Sequence, residues 1–182
     1  GVIWFDAHPD FDTPDEARSG YFDGMGLATL TGQCWRALAA TIPGFQPMSV
    51  ERLVYCGVRD FEPGQAEKVE RFGVRTVCGG GAGPRDFAHA LEAELERVPF
   101  REMIIHIDLD CLDTSVGQAN EYSSPGGLSA NDLSACLDRA CRRLQPLALT
   151  VASFNPDLEG GDAIARAGVE AIETVVRRAG RG

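Results

Sequence analysis

Short apolar runs alternate with amphipathic stretches along the whole chain. Residues 2–6, Val-Ile-Trp-Phe-Asp, close on polar residues and prolines, which predicts a buried strand feeding a loop from His8 to about Asp23. From about Met25 to Ala40, the residues Leu27, Leu30, Cys34, Leu38 and Ala39 recur at three- and four-residue steps, predicting one helix ended by Pro43 and Pro47. Further strands are predicted over 52–58, 74–77, 103–107 and 147–154. Helices are predicted from Pro63 to about Phe72, over Asp86 to Arg97, over Asn131 to Leu144, and over Asp162 to Arg178. Ser129 followed by Asp132 is a capping-type start for the third of these. Apolar strands alternating with helices give an α/β class, a three-layer α/β/α arrangement around a mainly parallel sheet, in a single domain over 1–182.

Composition narrows the classes. The 182 residues are 44% hydrophobic and 24% charged, with no apolar run near the ~20 residues of a membrane helix. Seventeen Lys plus Arg stand against 27 Asp plus Glu, a net charge of -10, and Lys68 is the single lysine. Phosphate recognition needs clustered cations, so neither nucleic acid nor an anionic membrane is an expected partner. The six cysteines form no Cys-x-x-Cys pair and are read as reduced, mostly buried thiols of a cytoplasmic protein. The chain opens on Gly1 directly in a strand-like run, which is read as a piece of something longer.

Ligands of open parallel sheets bind beyond the carboxyl ends of the strands, so polar residues there carry the most weight. Two clusters meet that condition. Asp6-Ala7-His8-Pro9-Asp10 follows the first strand, and Asp108-Leu109-Asp110-Cys111-Leu112-Asp113 follows the fourth. In extended backbone, alternate residues point to one side, so Asp6, His8 and Asp10 converge, as do Asp108 and Asp110. Carboxylates crowded this way repel one another unless a cation neutralises them. Oxygen donors with one or two imidazoles suit Mn(II) or a similar divalent ion better than a thiolate zinc site does. Such a centre predicts metal-assisted hydrolysis.

These motifs resemble those of the arginase, agmatinase and formimidoylglutamase family, the ureohydrolases. Asp6-Ala7-His8-x-Asp10 and Asp108-x-Asp110-x-x-Asp113 are similar to its two C-terminal metal motifs. Gly57-Val58-Arg59-Asp60 is similar to its Gly-Leu-Arg-Asp segment, Pro125-Gly126-Gly127-Leu128 to its Pro-Gly-Gly-Leu turn, and Asn155-Pro156 to its Asn-Pro after the last strand. The resemblance covers essentially the whole chain and implies an arginase-like sheet without its N-terminal strands. It implies two manganese ions, one site being incomplete, with Asp6 and Asp108 bridging them, Asp10 completing one shell, and His8 and Asp110 the other. It places Glu62 near the amino-acid end of a substrate, and Asp12 and Ser19 near the substrate carboxylate. The implied reaction is attack of a metal-bridging hydroxide on the amidine carbon of a guanidino or formimino compound, in a homo-oligomer.

Departures from the family pattern are specific. Its first metal ligand, a His in a Gly-Gly-Asp-His segment, belongs upstream of the first strand. Asp23 aligns with a proton-shuttling loop His and is the candidate catalytic residue, and Ser153 aligns with a Glu that grips the guanidinium. His89 and His106 are read as structural, because one faces out of a helix and the other lies inside a strand. A chain that keeps metal affinity without turnover is therefore the rival reading. Ile107-Asp108-Leu109-Asp110 also looks like the nucleophile motif of haloacid-dehalogenase-type phosphatases, but those need a later lysine and Lys68 comes before it. Gly79 to Gly83 lacks the ending of a phosphate-binding P-loop and reads as a flexible connector.

Overall fold

Three of the strands carry residues with no exposed surface at alternating or successive positions, which is why short apolar runs suffice to define the centre of the sheet. In the computed structural model, which describes residues 1–80 and 86–180, the strands are β1 (Val2–Phe5), β2 (Leu53–Cys56), β3 (Arg75–Val77), β4 (Glu102–Asp108) and β5 (Gln145–Ala152). They form one parallel sheet in the order β3-β2-β1-β4-β5, with the fully buried positions on β2, β1 and β4. The chain therefore winds outward from β1 to β3, then returns to the other side of β1 with β4. That reversal puts a crevice at the carboxyl ends of β1 and β4.

The helices are α1 (Gly26–Leu30), α2 (Arg36–Ala39), α3 (Gln65–Arg71), α4 (Phe87–Leu95), α5 (Ala130–Arg143) and α6 (Gly161–Ala179). The helices α4, α5 and α6 pack together over one face of the sheet, burying Ile3, Phe5, Val54, Ile105 and Ile107. On the other face, Leu27 and Ala28 of α1 and Val69 of α3 pack with Val2, Leu53 and Tyr55. That second layer does not extend to the far side of the sheet, where Ile104 and Leu147 are 44% and 58% exposed. The three layers expected from the sequence are thus complete over β1–β3 only. No described helix is long and apolar enough to cross a membrane.

One expectation needs correction. The single helix over 25–40 is broken into α1 and α2, because Gly32 and Trp35 between them take left-handed backbone at φ 76° and 49°. A side chain at Gly32 would also sit 2.9 Å from Pro47, so the apolar spacing marks a buried face without a continuous helix. The phosphate question over Gly79–Gly83 falls mostly outside the described residues. At Gly79 itself a Cβ would lie 2.6 Å from the Gly57 carbonyl oxygen and 2.8 Å from that of Gly126, so a close backbone approach requires the glycine. The capping box at Ser129 and Asp132 is present, with both reciprocal hydrogen bonds made.

Candidate metal centre

Phe5 pairs with Ile107 in the β1–β4 register, so Asp6 and Asp108 leave the centre of the sheet side by side. Each carboxylate turns its own chain. The Asp6 Oδ1 accepts the His8 N–H at 2.7 Å, and the Asp108 Oδ1 accepts the Asp110 N–H at 2.9 Å. These matched turns bring His8 and Asp110 together, with His8 Nδ1 3.2 Å from Asp110 Oδ2 and 3.5 Å from Asp6 Oδ1. His8 Nε2 lies 3.8 Å from the Asp60 carboxylate. Outer partners then fix each donor. Trp4 Nε1 donates to Asp6 Oδ2 at 2.8 Å, and Asp110 accepts from the Ala7 N–H at 3.1 Å and from Asn120 Nδ2 at 2.9 Å. The Ser153 hydroxyl donates to Asp108 Oδ2. Below the first turn, the buried Tyr55 hydroxyl donates to the Pro9 carbonyl at 2.5 Å.

Burial makes this charge costly. The Asp6 and Asp110 side chains are almost wholly buried. Desolvation, reinforced by Asp6 and Asp110, pushes the Asp108 carboxyl up to about 8. Burial likewise raises Asp6, and it raises Asp10 further, with Asp6 and Asp108 adding to the effect. Burial opposes ionisation of Asp110 too, but hydrogen bonds from His8, Asn120 and Ala7 outweigh it and hold that group down to about 2. Burial would also lower His8, yet its partners Asp110 and Asp6 raise the imidazole to about 11. Four carboxyls thus crowd around one close imidazole, an arrangement whose mutual repulsion a bound cation would relieve.

Among the described residues, two groups offer donor atoms that all lie within 4.8 Å of one another: Asp6, His8 and Asp110, and Asp6, His106 and Asp108. The oxygen-rich set with imidazoles fits a divalent cation of the Mn(II) type. Asp6 belongs to both groups, as a bridging residue would. Neither group contains Asp10, whose left-handed backbone at φ 45° nonetheless keeps its carboxyl in the field of Asp6 and Asp108. His106, read from the sequence as structural, is brought beside Asp6 and Asp108 in the second of these groups. Because β4 stays extended through Asp108, period two carries His106 to the same side as Asp108, and that arithmetic was available in the sequence. Asp113 serves another purpose, accepting the N–H groups of Ser115, Gly126 and Gly127. Lys68, which a phosphatase would need near Asp108, is buried with its Nζ between the Phe11 carbonyl and Glu16.

Of the expected substrate-side residues, Asp12 and Glu62 are joined to each other, apart from the two donor groups. Gln65 at the start of α3 donates to Asp12 Oδ2 at 2.8 Å and accepts the Glu62 N–H at 2.8 Å, so it joins two residues that the sequence left unconnected. The exposed Glu62 carboxylate is 3.8 Å from Arg18 Nε. Ser19, exposed, accepts the Tyr21 N–H at 3.2 Å, and Asp23, also exposed, accepts the Gly24 N–H at 3.0 Å. Neither takes part in the two donor groups. Asn120 carries no periodicity or motif that would have drawn attention to it. Tyr55 carries a weak signal, since a tyrosine inside a buried strand needs a partner for its hydroxyl.

A sequence model described as the arginase family matches residues 1–177. The chain belongs to the arginase family. Hepatic arginase of Aquarana catesbeiana is 33% identical over 135 residues, covering 70% of this chain and 42% of that protein. The N(omega)-hydroxy-L-arginine amidinohydrolase of Streptomyces lavendulae is 32% identical over 127 residues, covering 70% of this chain and 41% of that protein. The native structure of arginase from Bacillus caldovelox matches with a TM-score of 0.82 at 25% identity, over 96% of this chain and 59% of that one. The matched segments of this arginase-family chain make up 42% and 41% of those two curated relatives, so it spans only part of their length. Its parallel α/β sheet is the arginase fold.

Proposed function

We propose that this chain carries the metal centre of a homo-oligomeric, cytoplasmic hydrolase that cleaves a non-peptide C–N bond in a linear guanidino or formimino compound. The convergence of Asp6, His8, Asp108 and Asp110 at the β1–β4 crevice, in an arginase-family chain, is the observation that carries the reading. Asp6, His8, Asp10, Asp108 and Asp110 would hold two divalent ions, manganese by the chemistry of the donors. Bound there, such ions supply Lewis-acid polarisation and bring the pKa of water toward neutrality.

The chain's own residues do the remaining work. Ala7 and Asn120 fix the orientation of Asp110, Trp4 that of Asp6, and Ser153 that of Asp108. Asp12, Ser19 and Glu62 bind the end of the substrate remote from the reacting carbon, with Gln65 and Arg18 holding the first and last of them in place. Asp23, exposed at the loop, exchanges protons with solvent. Ser153 offers a hydroxyl, already engaged by Asp108, where a carboxylate would pair a guanidinium, which favours a substrate other than free arginine.

Purified protein supplied with Mn(II) and a panel of guanidino and formimino compounds tests the proposal. Release of urea, ammonia or an amide from at least one compound is expected. Tight Mn(II) binding with no release from any of them supports the metal-binding rival instead. Asp110→Asn and Asp110→Ala should each lower the bound metal, and unchanged stoichiometry in both would sink the cluster assignment.

A further inference from the structure

His106 lies directly before the centre, on the strand that supplies Asp108. It pairs with Trp4 across the β1–β4 register, just as the residues two places on lead to Asp6 and Asp108. One ring nitrogen of His106 and one oxygen each from Asp6 and Asp108 lie within 4.8 Å of one another. Donors that sit roughly 2.0–2.2 Å from a single ion are up to about 4.4 Å apart, so a small side-chain adjustment closes the set.

We infer that His106 is a ligand of the cation position shared with Asp6 and Asp108, so that β4 itself provides an imidazole to the metal centre. The inference rests on the metal-centre reading above. Two contacts already hold the ring as a ligand needs to be held. Its Nδ1 is 2.6 Å from the Thr150 hydroxyl on β5, the next strand. Its face stacks on Trp4, with centroids 3.7 Å apart and planes inclined at 21°. Trp4 in turn donates to Asp6, so the stack is tied to another donor of the same group. Outer partners of this kind are what set the orientation of a ligating histidine. The ring also lines an open cavity of about 610 Å³ with Trp4, Ile104, Leu147 and Thr150, so one side of it faces free space.

In the family resemblance, the comparable imidazole comes from a Gly-Gly-Asp-His segment. An imidazole on β4 makes the first position less dependent on that segment. It also gives the two positions matched shells, Asp6 with His8 and Asp110 on one side, and Asp6 with His106 and Asp108 on the other.

The test uses the whole protein with Mn(II) or Co(II) alone and no substrate. Ion stoichiometry and affinity are read by calorimetry, and the ligand field by the visible spectrum of the Co(II) form. His106→Phe, which preserves stacking on Trp4, should abolish or weaken binding of one ion and change the Co(II) spectrum. Thr150→Val should weaken that same ion by roughly tenfold, the lower end of outer-partner effects. Asp110→Asn should weaken the other ion instead. If His106→Phe and His106→Gln keep wild-type stoichiometry, affinity and spectrum while Asp110→Asn does not, the inference is overturned and the metal-centre reading stands. If none of the variants changes binding, both fall. Circular dichroism checks folding, and His106→Gln replaces His106→Phe should the larger side chain disrupt the sheet.

Discussion

Arg59 shows how much of the centre depends on a residue that is not itself among its donors. Its guanidinium donates to the backbone carbonyls of Gly57, Asp110, Cys111, Leu112, Ser124 and Pro125, at 2.6 to 3.3 Å. Those carbonyls belong to three separate turns, and one of them is that of Asp110 itself. A planar fork of five N–H groups can span this ring of acceptors, whereas an ammonium on a flexible stem reaches only part of it. Arg59→Lys should therefore leave several buried carbonyls unpaired and lower stability by about 1.5–3 kcal/mol, the range of hydrogen bonds to a charged group. It should also weaken metal binding by displacing Asp110. Urea unfolding together with Mn(II) titration measures both effects, and an Arg59→Lys variant within about 0.5 kcal/mol of wild type, the scatter of ordinary surface changes, would contradict the account.

Asp113 is the comparable anchor for an element, the turn that follows β4. Its Oδ1 accepts the Ser115 N–H at 2.9 Å, and its Oδ2 accepts those of Gly126 at 2.6 Å and Gly127 at 3.1 Å, beside the bridge between Leu112 and Leu128. Burial opposes the charge, but the hydrogen bonds from Ser115, Gly126 and Gly127 prevail and hold the carboxyl down to about 2, from an ordinary 3.8. A depressed carboxyl contributes stability above its unfolded pKa and loses it as pH falls through the folded one. Asp113→Asn should thus be less stable than wild type at pH 7, with the gap closing between about pH 4 and pH 2. Urea midpoints across that range test this, and a gap independent of pH would refute it. At this same scale the sequence was most and least legible. Buried strands and the Ser129 cap were readable because apolar runs and capping chemistry are local. The break between α1 and α2 was not, since Leu27, Leu30, Cys34 and Leu38 keep helical spacing across a segment that Gly32 and Trp35 turn aside. Asp6, His8 and Asp110 were legible from their place at two strand ends, although turns and not extended backbone bring His8 and Asp110 together. Arg59 and Asn120 act across loops, where no period announces which distant carbonyl or carboxylate they will meet.

At the scale of the molecule, the two donor groups join the ends of neighbouring central strands that are far apart in sequence. An ion held by Asp6 and Asp108 ties β1 to β4 at the point where the winding of the sheet reverses, so ion binding requires the folded sheet. It also relieves carboxyls that burial and mutual repulsion have pushed above their ordinary values. A ligand that binds only the folded state stabilises it by about 2.7 kcal/mol at a hundredfold excess over its dissociation constant. For a chain of 150–250 residues, each kcal/mol moves the midpoint by roughly 2–4 °C, so saturating Mn(II) should raise Tm by about 5–10 °C. General screening of the net charge of -10 is a competing source of stabilisation, and Mg(II) at the same ionic strength measures it. The Mn(II) shift should exceed the Mg(II) shift, reverse on adding a chelator, and shrink in Asp6→Asn and Asp108→Asn. Equal shifts for both ions in wild type and variants would mean that the acidic surface, and not the β1–β4 crevice, is what the cations stabilise.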